Sequence, residues 1–506
     1  MNDELVTEEQ VPGGGPGAAA DPAARHGVAV PRGQDLLPGA RGGRFGRMFP
    51  FLPWRDPGFD ACEALVGFIE TAGQTKSIGN PSIPAGYTYL GQFIDHDITF
   101  DPTSKLQRDN DPHALVNFRT PRFDLDSLYG SGPQDQPFLY DWTCSPHRGL
   151  KLLVDCNPIG GKRACVDLPR NSQGRALIGD ARNDENLIIS QLHLLFVNFH
   201  NKVVDHVAEQ AQVKCEQIFD EAQRIVRWHY QWIVTHDFLK RIVGKAMARS
   251  VLRPGVHGAA PSVERRFYSW QEQPVVPVEF SGAAYRFGHS MVRDAYSIND
   301  PDLGVPAIPL VRLPGRPDTG RHLEGFRNLP AELVIDWKRF FEIAGRPIQS
   351  LRIDHRLADA LFRLPGGAVL ARLNLQRGRA LGLPAGADVA RAMSERPLTE
   401  EELKLREGMP AEALESLRRA TPLWYYILHE ARELGGGLHL GPVGGRIVAE
   451  VLVGLLEADP HSYLRQWPTW KPELPRARVG DFTMADLVRF TEGLPNPMTA
   501  GTADQR

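Results

Sequence analysis

Residues able to move protons are concentrated in residues 89–100, which read YLGQFIDHDITF. On a helix, Gln92 and His96 would share one face, and Asp95 and Asp97 would flank the histidine. Buried polar groups are costly unless they are paired. The segment therefore predicts either a catalytic histidine cluster or an ordinary hydrogen-bonded histidine beside two helix carboxylates.

A second polar group, RNDEN at residues 182–186, directly precedes a long apolar stripe. Glu185 falls in the first turn of the expected helix, where its dipole favours an acid. That placement and a surface position for Arg182 would explain both residues without catalysis.

Two later motifs have the residue types that hold and orient a ligand. In YRFGHS, residues 285–290, Arg286 lies three residues before His289, and Gly288 would let a planar ligand or another backbone approach closely. In LNLQRGR, residues 373–379, Asn374 could accept a histidine N–H, which orients a metal ligand and increases its basicity. A core histidine and a capping asparagine are the plainer interpretations.

Oxygen donors alternate along TPRFDLD, residues 120–126. Calcium takes six to eight oxygens at about 2.3–2.6 Å, mixing carboxylates with carbonyls. The spacing is not that of an EF-hand loop, and a solvated acidic turn would show the same alternation. The potential donors are Thr120, the Arg122 carbonyl, Asp124 and Asp126.

The composition of the 506 residues excludes several classes of protein. Lys and Arg number 58 against 61 Asp and Glu, which argues against a nucleic-acid binder. No apolar run is long enough for a spanning helix. Five cysteines without CxxC spacing argue against a disulfide framework or a zinc site. The acidic start, MNDELVTEEQ, lacks secretory-signal features, so we expect cytoplasmic residence, with leaderless export as the alternative.

Apolar periodicity predicts the helices that must position these residues. Residues 186–212 and 217–243 are the clearest, and strand-like alternation is scarce, with VVPVEF at 275–280 the best case. Further helices are expected near residues 330–344, 357–364, 400–419, 422–434, 444–458 and 483–492. We expect a mainly α protein with long loops and no internal repeat.

Taken in order, the five motifs resemble the animal-type haem peroxidase family, within the peroxidase–cyclooxygenase superfamily, in a bacterial-type form. The resemblance covers roughly residues 80–460. It includes HLLFVNFHNKV and QWIVTHDFL, and the 85-residue separation of His289 and Asn374 is close to that of the family. It implies one large helical domain over residues 46–495, between a flexible Gly/Ala/Pro-rich arm, 1–45, and a tail, 496–506.

The resemblance also implies a role for each site residue. His96, with Gln92 and Arg182, would form the distal peroxide side, and His289, hydrogen-bonded to Asn374, would ligate the iron of haem b. Asp95 and Glu185 would be available for ester links to haem, and Arg286 and Arg377 would lie near its propionates. The implied calcium ligands are Asp97, Thr120, Arg122 by its carbonyl, Asp124 and Asp126.

The implied activity is reduction of H₂O₂ through a ferryl intermediate, with oxidation of a small donor in one- or two-electron steps. A phenol, halide, pseudohalide or biosynthetic coupling substrate would fit. A fatty-acid dioxygenase of the same superfamily is the alternative, although Arg286 stands where those enzymes carry tyrosine and Tyr285 is one residue further away. A non-catalytic haem-fold adhesion protein would have no need of Gln92, His96 and Arg182.

The sequence departs from the family pattern at several positions. Asn186 stands where some mammalian members carry a methionine that forms a sulfonium link to haem, so that link is not expected. Ala380 and Leu381 replace a common Asp-His pair. In the calcium loop, Arg122 and Asp126 replace Phe and Ser, changes that a carbonyl donor and a cation site tolerate.

Overall fold

The computed structural model describes residues 45–495 apart from 74–77, 101–116, 118, 144–145, 160–161, 211–212, 257, 271–272, 300–305, 313–316, 365–366 and 406–408. Residues 1–44 of the predicted arm and the predicted tail lie outside the described residues. The α-helices are α1 Phe59–Gly73, α2 Gly86–Ile98, α3 Asp126–Tyr129, α4 Leu187–Ala208, α5 Ile218–Trp232, α6 Leu239–Ile242, α7 Lys245–Val251, α8 Val278–Gly282, α9 Leu370–Ala380, α10 Gly386–Ala392, α11 Ala411–Arg419, α12 Leu423–Gly435, α13 Pro442–Ala458, α14 Tyr463–Gln466 and α15 Met484–Glu492.

The strands are short and pair two by two, which confirms a mainly α fold with little strand. The parallel pair is β1 Phe45–Gly46 with β7 Val276–Pro277, so Phe45 belongs to the folded body and not to the arm. The antiparallel pairs are β2 Gly79–Pro84 with β10 Gln349–Leu351, β3 Asp155–Ile159 with β4 Lys162–Asp167, β5 Leu252–Arg253 with β6 Ser262–Val263, and β8 Ala295–Tyr296 with β9 Ile308–Pro309. The 3₁₀ helices are Pro137–Leu139, Ala181–Asp184, Cys215–Gln217, Ala284–Met291, Ala331–Leu333, Trp337–Arg339 and Asp359–Phe362.

The central helix α4 confirms the prediction for residues 186–212, ending four residues earlier. Asn186 caps it, accepting hydrogen bonds from the backbone N–H of Ile188 and Ile189 at 3.2 and 2.9 Å. Helix α2 packs against α4, and the rings of Phe93 and Phe196 stack with centroids 4.7 Å apart. This contact attaches the predicted histidine segment to the protein core.

The helix predicted over residues 217–243 is continuous but not uniformly α. Helix α5 runs into a π-helix, Ile233–Phe238, before α6. Within the π-helix, Asp237 accepts a hydrogen bond of 2.7 Å from the Tyr87 hydroxyl of α2. This irregular turn, a common feature near functional sites, thus anchors the start of the histidine helix.

Four predicted elements are wrong in type or extent. Residues 330–344 form only two 3₁₀ turns, because the Gln191 side chain bonds the Leu333 carbonyl and the Ile335 N–H, at 3.0 and 2.7 Å. Residues 357–364 contain one 3₁₀ turn. The helix predicted over residues 400–419 begins only at Ala411, as α11. Pro410 precedes it, and proline has no backbone N–H with which to continue a helix from the residues before it. The strand near 275–280 ends at Pro277, and α8 begins at the next residue, Val278.

The predicted helices at 422–434, 444–458 and 483–492 are confirmed as α12, α13 and α15. Most side chains of α12 and α13 are buried, so these two helices belong to the core. Among the described residues, no helix has both the length and the apolar character needed to cross a bilayer. Of the cysteines with described side chains, Cys62 is free and buried and Cys215 is free and exposed.

Candidate active site

One cavity of about 690 Å³ collects most of the residues that the sequence singled out. Its volume lies within the range of about 300–1,000 Å³ typical of small-molecule and cofactor pockets. Helix α2 and the turn Ala181–Asp184 form the His96 wall, and the 3₁₀ helix Ala284–Met291 with α9 forms the His289 wall. The predicted residues lining the cavity are Gln92, Asp95, His96, Arg182, Glu185, Arg286, His289 and Arg377.

His96 is buried on α2, with its ring held from behind. Its Nδ1 lies 2.7 Å from Oδ1 of Asn183. Burial lowers the pKa of His96 to about 4, and the nearby Arg182 guanidinium acts in the same direction. The imidazole is therefore neutral at pH 7 and able to accept a proton.

Arg182 is fixed by four oxygen atoms. Its guanidinium donates to the carbonyls of His96 and Thr99 at 3.1 and 2.5 Å. It also pairs with Asp180, whose two carboxylate oxygens lie 2.7–3.2 Å from its nitrogens. Burial opposes ionisation of Asp180, but Arg182 and Arg119 bring its pKa well below the usual range. A permanently charged guanidinium is thus held at the cavity wall beside the histidine.

Two carboxylates complete the His96 wall. The Gln92 amide donates a hydrogen bond to Glu185, and burial raises the pKa of Glu185 to about 7. Asp95 accepts a 3.0 Å hydrogen bond from the Thr99 hydroxyl. Both side chains line the cavity, where they could contact a bound ligand.

The His289 wall is simpler. Nδ2 of Asn374 lies 2.9 Å from Nδ1 of His289. With the amide turned over, so that its oxygen takes that place, Asn374 would accept Nδ1–H and leave Nε2 free. Burial lowers the pKa of His289 to about 3. A Cβ on Gly288 would meet no atom within 4 Å apart from its chain neighbours, so the backbone directly before His289 borders open space. Arg286 is oriented by a 2.8 Å bond from its Nε to the Ser281 carbonyl.

The predicted calcium residues do not line the cavity, although Asp97 belongs to α2 and directly follows His96. Carboxylate oxygens of Asp97, Asp124 and Asp126 all lie within 4.8 Å of one another. Burial and the neighbouring carboxylates raise the pKa of Asp97 well above its ordinary value, and burial raises that of Asp126 to about 7. Thr120 and Arg122 belong to the same turn, and the Thr120 hydroxyl donates to Asp124 at 2.9 Å. Such a concentration of buried negative charge is what a divalent cation offsets.

An ion-pair chain joins the carboxylate cluster to the cavity, and sequence reasoning missed it. Arg119 lies 2.8 Å from Asp126 and 2.6 Å from Asp180. Asp180 in turn holds Arg182 at 2.7 Å. The sequence signal that could have found these residues is their position. Arg119 directly precedes the segment of oxygen ligands, residues 120–126, and Asp180 lies two residues before Arg182. Two further residues behind His96, Asn183 and His193, were also missed.

Comparison with known proteins identifies the family to which this chain belongs. The sequence model of the animal haem peroxidase family matches residues 103–420, an interval that contains Arg182, His289 and Asn374. Chorion peroxidase of Drosophila melanogaster is 29% identical over 319 residues, 60% of this chain and 36% of the fly protein. Thyroid peroxidase of Sus scrofa is 27% identical over 304 residues, 54% of this chain and 30% of the pig protein. The chain belongs to the animal haem peroxidase family.

The fold is similar to that of several solved structures. Peroxidase A from Dictyostelium discoideum superposes with a TM-score of 0.59 at 16% identity, covering 88% of this chain and 93% of that one. The fatty acid alpha-dioxygenase of Oryza sativa gives a TM-score of 0.53 at 15% identity, covering 87% and 78%. The sequence matches span about a third of the length of the curated relatives. The family is a haem family, so membership implies haem as the cofactor.

Proposed function

We propose that this protein is a haem peroxidase that reduces H₂O₂ and oxidises a small electron donor. The observation that carries the proposal is that His96, Arg182 and His289 line the same cavity, whose volume suits a large cofactor. The residue types also fit haem, since the neutral imidazole of His289 and the two guanidiniums of Arg286 and Arg377 line the cavity. Bound haem would supply the iron that exchanges electrons with peroxide and donor.

His289 is the residue that we propose as the iron ligand. Its burial favours the neutral ring, and the neighbouring Asn374 amide, with its oxygen toward the ring, would accept Nδ1–H and leave Nε2 for the metal. Such a partner fixes the orientation of the ring and raises its basicity. Arg286 and Arg377 would pair with the propionates by charge-assisted hydrogen bonds.

His96 is the proposed acid–base residue. In its neutral form, the ring can accept a proton from one oxygen of hydrogen peroxide and return it to the other. Arg182, positively charged and held by Asp180, would stabilise negative charge that develops on the peroxide oxygens. Gln92, bonded to Glu185, would orient the bound peroxide.

Ester links from Asp95 and Glu185 to the haem are part of the proposal. Both side chains line the cavity, and Glu185 has a pKa raised by burial to about 7, which keeps a protonated fraction near neutrality. Link formation requires peroxide turnover, so protein as first isolated will be partly unlinked. Acidified solvent should extract haem from an Asp95→Asn, Glu185→Gln variant, and full extraction from the peroxide-treated natural protein would refute the links.

A structural calcium ion is proposed at the Asp97, Asp124 and Asp126 cluster, with Thr120 and the Arg122 carbonyl as further ligands. The support is the charge balance, because three carboxylates meet there and Arg119 pairs directly with Asp126. Calcium accepts such mixed oxygen ligands. The ion would stabilise the segment directly after His96.

Fatty-acid oxygenation is the second candidate function. Tyr285 lines the cavity, and its buried hydroxyl has no hydrogen-bond partner among the described residues, so it is available for hydrogen abstraction. Solved fatty acid alpha-dioxygenases share the fold. Under air, an oxygenase consumes O₂ with an unsaturated fatty acid, whereas a peroxidase requires H₂O₂ and a reducing donor.

One experiment separates the candidates. The purified haem-loaded protein should change its Soret band with one equivalent of H₂O₂ and return to the resting spectrum when a donor is added. The donor screen should include phenols, iodide, bromide and thiocyanate. No response to peroxide would overturn the peroxidase proposal and favour a non-catalytic protein, and O₂ consumption with fatty acid alone would favour the dioxygenase.

A further inference from the structure

Two buried residues outside the cavity form a hydrogen-bonded pair directly behind His96. Asn183, completely buried in the turn Ala181–Asp184, places Oδ1 2.7 Å from Nδ1 of His96. Its Nδ2 lies 3.0 Å from Nδ1 of His193, which is 1% exposed on α4. The three side chains thus form one chain of hydrogen bonds leading from the cavity wall to the central helix.

The chemistry of the asparagine amide dictates where the protons are. Its oxygen only accepts and its nitrogen only donates, while a neutral imidazole has one nitrogen of each kind. With Oδ1 toward His96, Nδ1 of His96 carries the proton and Nε2 is the acceptor. With Nδ2 toward His193, Nδ1 of His193 is the acceptor.

We propose that Asn183, oriented by His193, is a positioning residue that holds His96 in the tautomer able to accept a proton on Nε2. The inference rests on the proposed function, since that tautomer is the one peroxide activation requires. If the amide were reversed, Nδ2 would face Nδ1 of His96 and the ring proton would move to Nε2. His96 would then present a donor to the cavity in place of an acceptor.

His193 is suited to prevent that reversal. Burial lowers its pKa to about 3, so it remains a neutral ring with one acceptor nitrogen. Its ring also packs edge-on against Phe93 of α2, with centroids 6.1 Å apart. Reversing the Asn183 amide would set its Oδ1 against Nδ1 of His193, and while that nitrogen stays the acceptor, two acceptors would face each other at a buried site, which is costly.

The first test compares Asn183→Leu with Asn183→Asp in the haem-loaded full chain. Leucine is similar in size but accepts no hydrogen bond, so the rate constant for peroxide should fall about 10–100-fold, a part of the 10²–10⁴-fold that a positioned acid–base residue contributes. Aspartate still accepts from Nδ1 of His96 and should restore most of the rate. The resting Soret band and the rate of the donor step should be unchanged in both variants.

The second test reports the tautomer itself. In ¹⁵N-histidine-labelled protein, as the diamagnetic ferrous carbon monoxide complex, the His96 resonances should show a proton on Nδ1. A His193→Phe variant should show a proton on Nε2 in part of the molecules, and His193→Gln, whose amide oxygen can accept from Asn183, should preserve the natural pattern.

Three results would overturn the inference: a natural peroxide rate in folded Asn183→Leu, an equal loss in the Leu and Asp variants, or a His96 proton on Nε2 in the natural protein. Failure of the proposed function is distinguishable, because it would appear as a natural protein that does not respond to peroxide. The tautomer spectrum would still decide the hydrogen-bond assignment.

Discussion

The His96 wall and the His289 wall each present one buried, neutral imidazole, but they are built differently. Behind His96 lie Asn183 and His193, and the Asp180–Arg182 pair lies beside it. Behind His289, within the described residues, the direct hydrogen-bond partner is Asn374. The difference matches the demands on the two rings, since a base must be fixed in tautomer and surrounded by charge, whereas a ligand needs one free lone pair.

The same contrast extends to the carboxylate cluster. Asp97 follows His96 directly in the chain, and Arg119 connects Asp126 to Asp180. The His289 wall is built from the 3₁₀ helix Ala284–Met291 and α9, which lie elsewhere in the sequence. Cation binding should therefore act on the peroxide side of the cavity and leave the iron-ligand side unchanged.

The largest effect is expected at His289. Replacing His289 by glycine removes the only proposed iron ligand, so purified protein should lose its Soret absorbance. Free imidazole should restore haem binding, because it can occupy the space that the missing ring leaves. Hemin titration followed by absorbance measures both effects.

The exposed His461 provides the matched control. His461→Ala should bind hemin like the natural protein. An unchanged spectrum and hemin affinity in His289→Gly would show that another residue ligates the iron, and the comparison of the two walls would lose its basis.

His96→Leu should leave haem bound but lower the rate constant for peroxide about 10²–10⁴-fold, the usual contribution of a positioned acid–base residue. Stopped-flow absorbance after mixing with H₂O₂ measures it. Hemin affinity should be unchanged, because the His289 wall is intact. A fall in hemin affinity equal to that in rate would show that the two walls are not functionally separate.

The features that could be predicted from the sequence are those that depend on residues close together in the chain. The apolar stripe of α4 and the capping Asn186 are read from adjacent residues, and the prediction of that helix is confirmed. The residues lining the cavity were found because each belongs to a short motif with a family resemblance. Their roles remain proposals, because they depend on a bound group.

The contacts that sequence reasoning missed are long-range. Asn183 and His96 are 87 residues apart, and Arg119 and Asp180 are 61 apart. Gln191 likewise bonds residues more than 140 positions away and so replaces a predicted helix by 3₁₀ turns. A single sequence has no periodicity that reports such pairings, since they are decided by how α2, α4 and the intervening loops pack.

Cation removal should affect only the His96 wall. Chelation with EGTA should lower the free energy of unfolding by about 2.7 kcal/mol, relative to calcium at 100 times its Kd. The peroxide rate constant should fall as well, because Asp97 and Arg119 link the cluster to His96 and Arg182. Thermal unfolding and stopped-flow absorbance measure the two effects.

An Asp124→Asn variant provides a second test of the cation site. It should weaken calcium binding and therefore reduce the effect of EGTA. Hemin affinity should stay constant throughout. If EGTA changes neither stability nor peroxide rate, the cluster does not hold calcium under those conditions and the proposed link to the His96 wall fails.

The smallest effect is expected for substitutions of Asn374, the described hydrogen-bond partner of His289. Asn374→Leu should lower hemin affinity about 10–100-fold, because His289 loses the contact that orients its ring. Asn374→Asp retains an acceptor for Nδ1–H and should bind hemin more tightly than the leucine variant. Hemin titration, with the ferric/ferrous potential as a second readout, measures the change. Equal affinities and potentials in all three proteins would mean that packing alone orients His289, and would make the two walls still less alike.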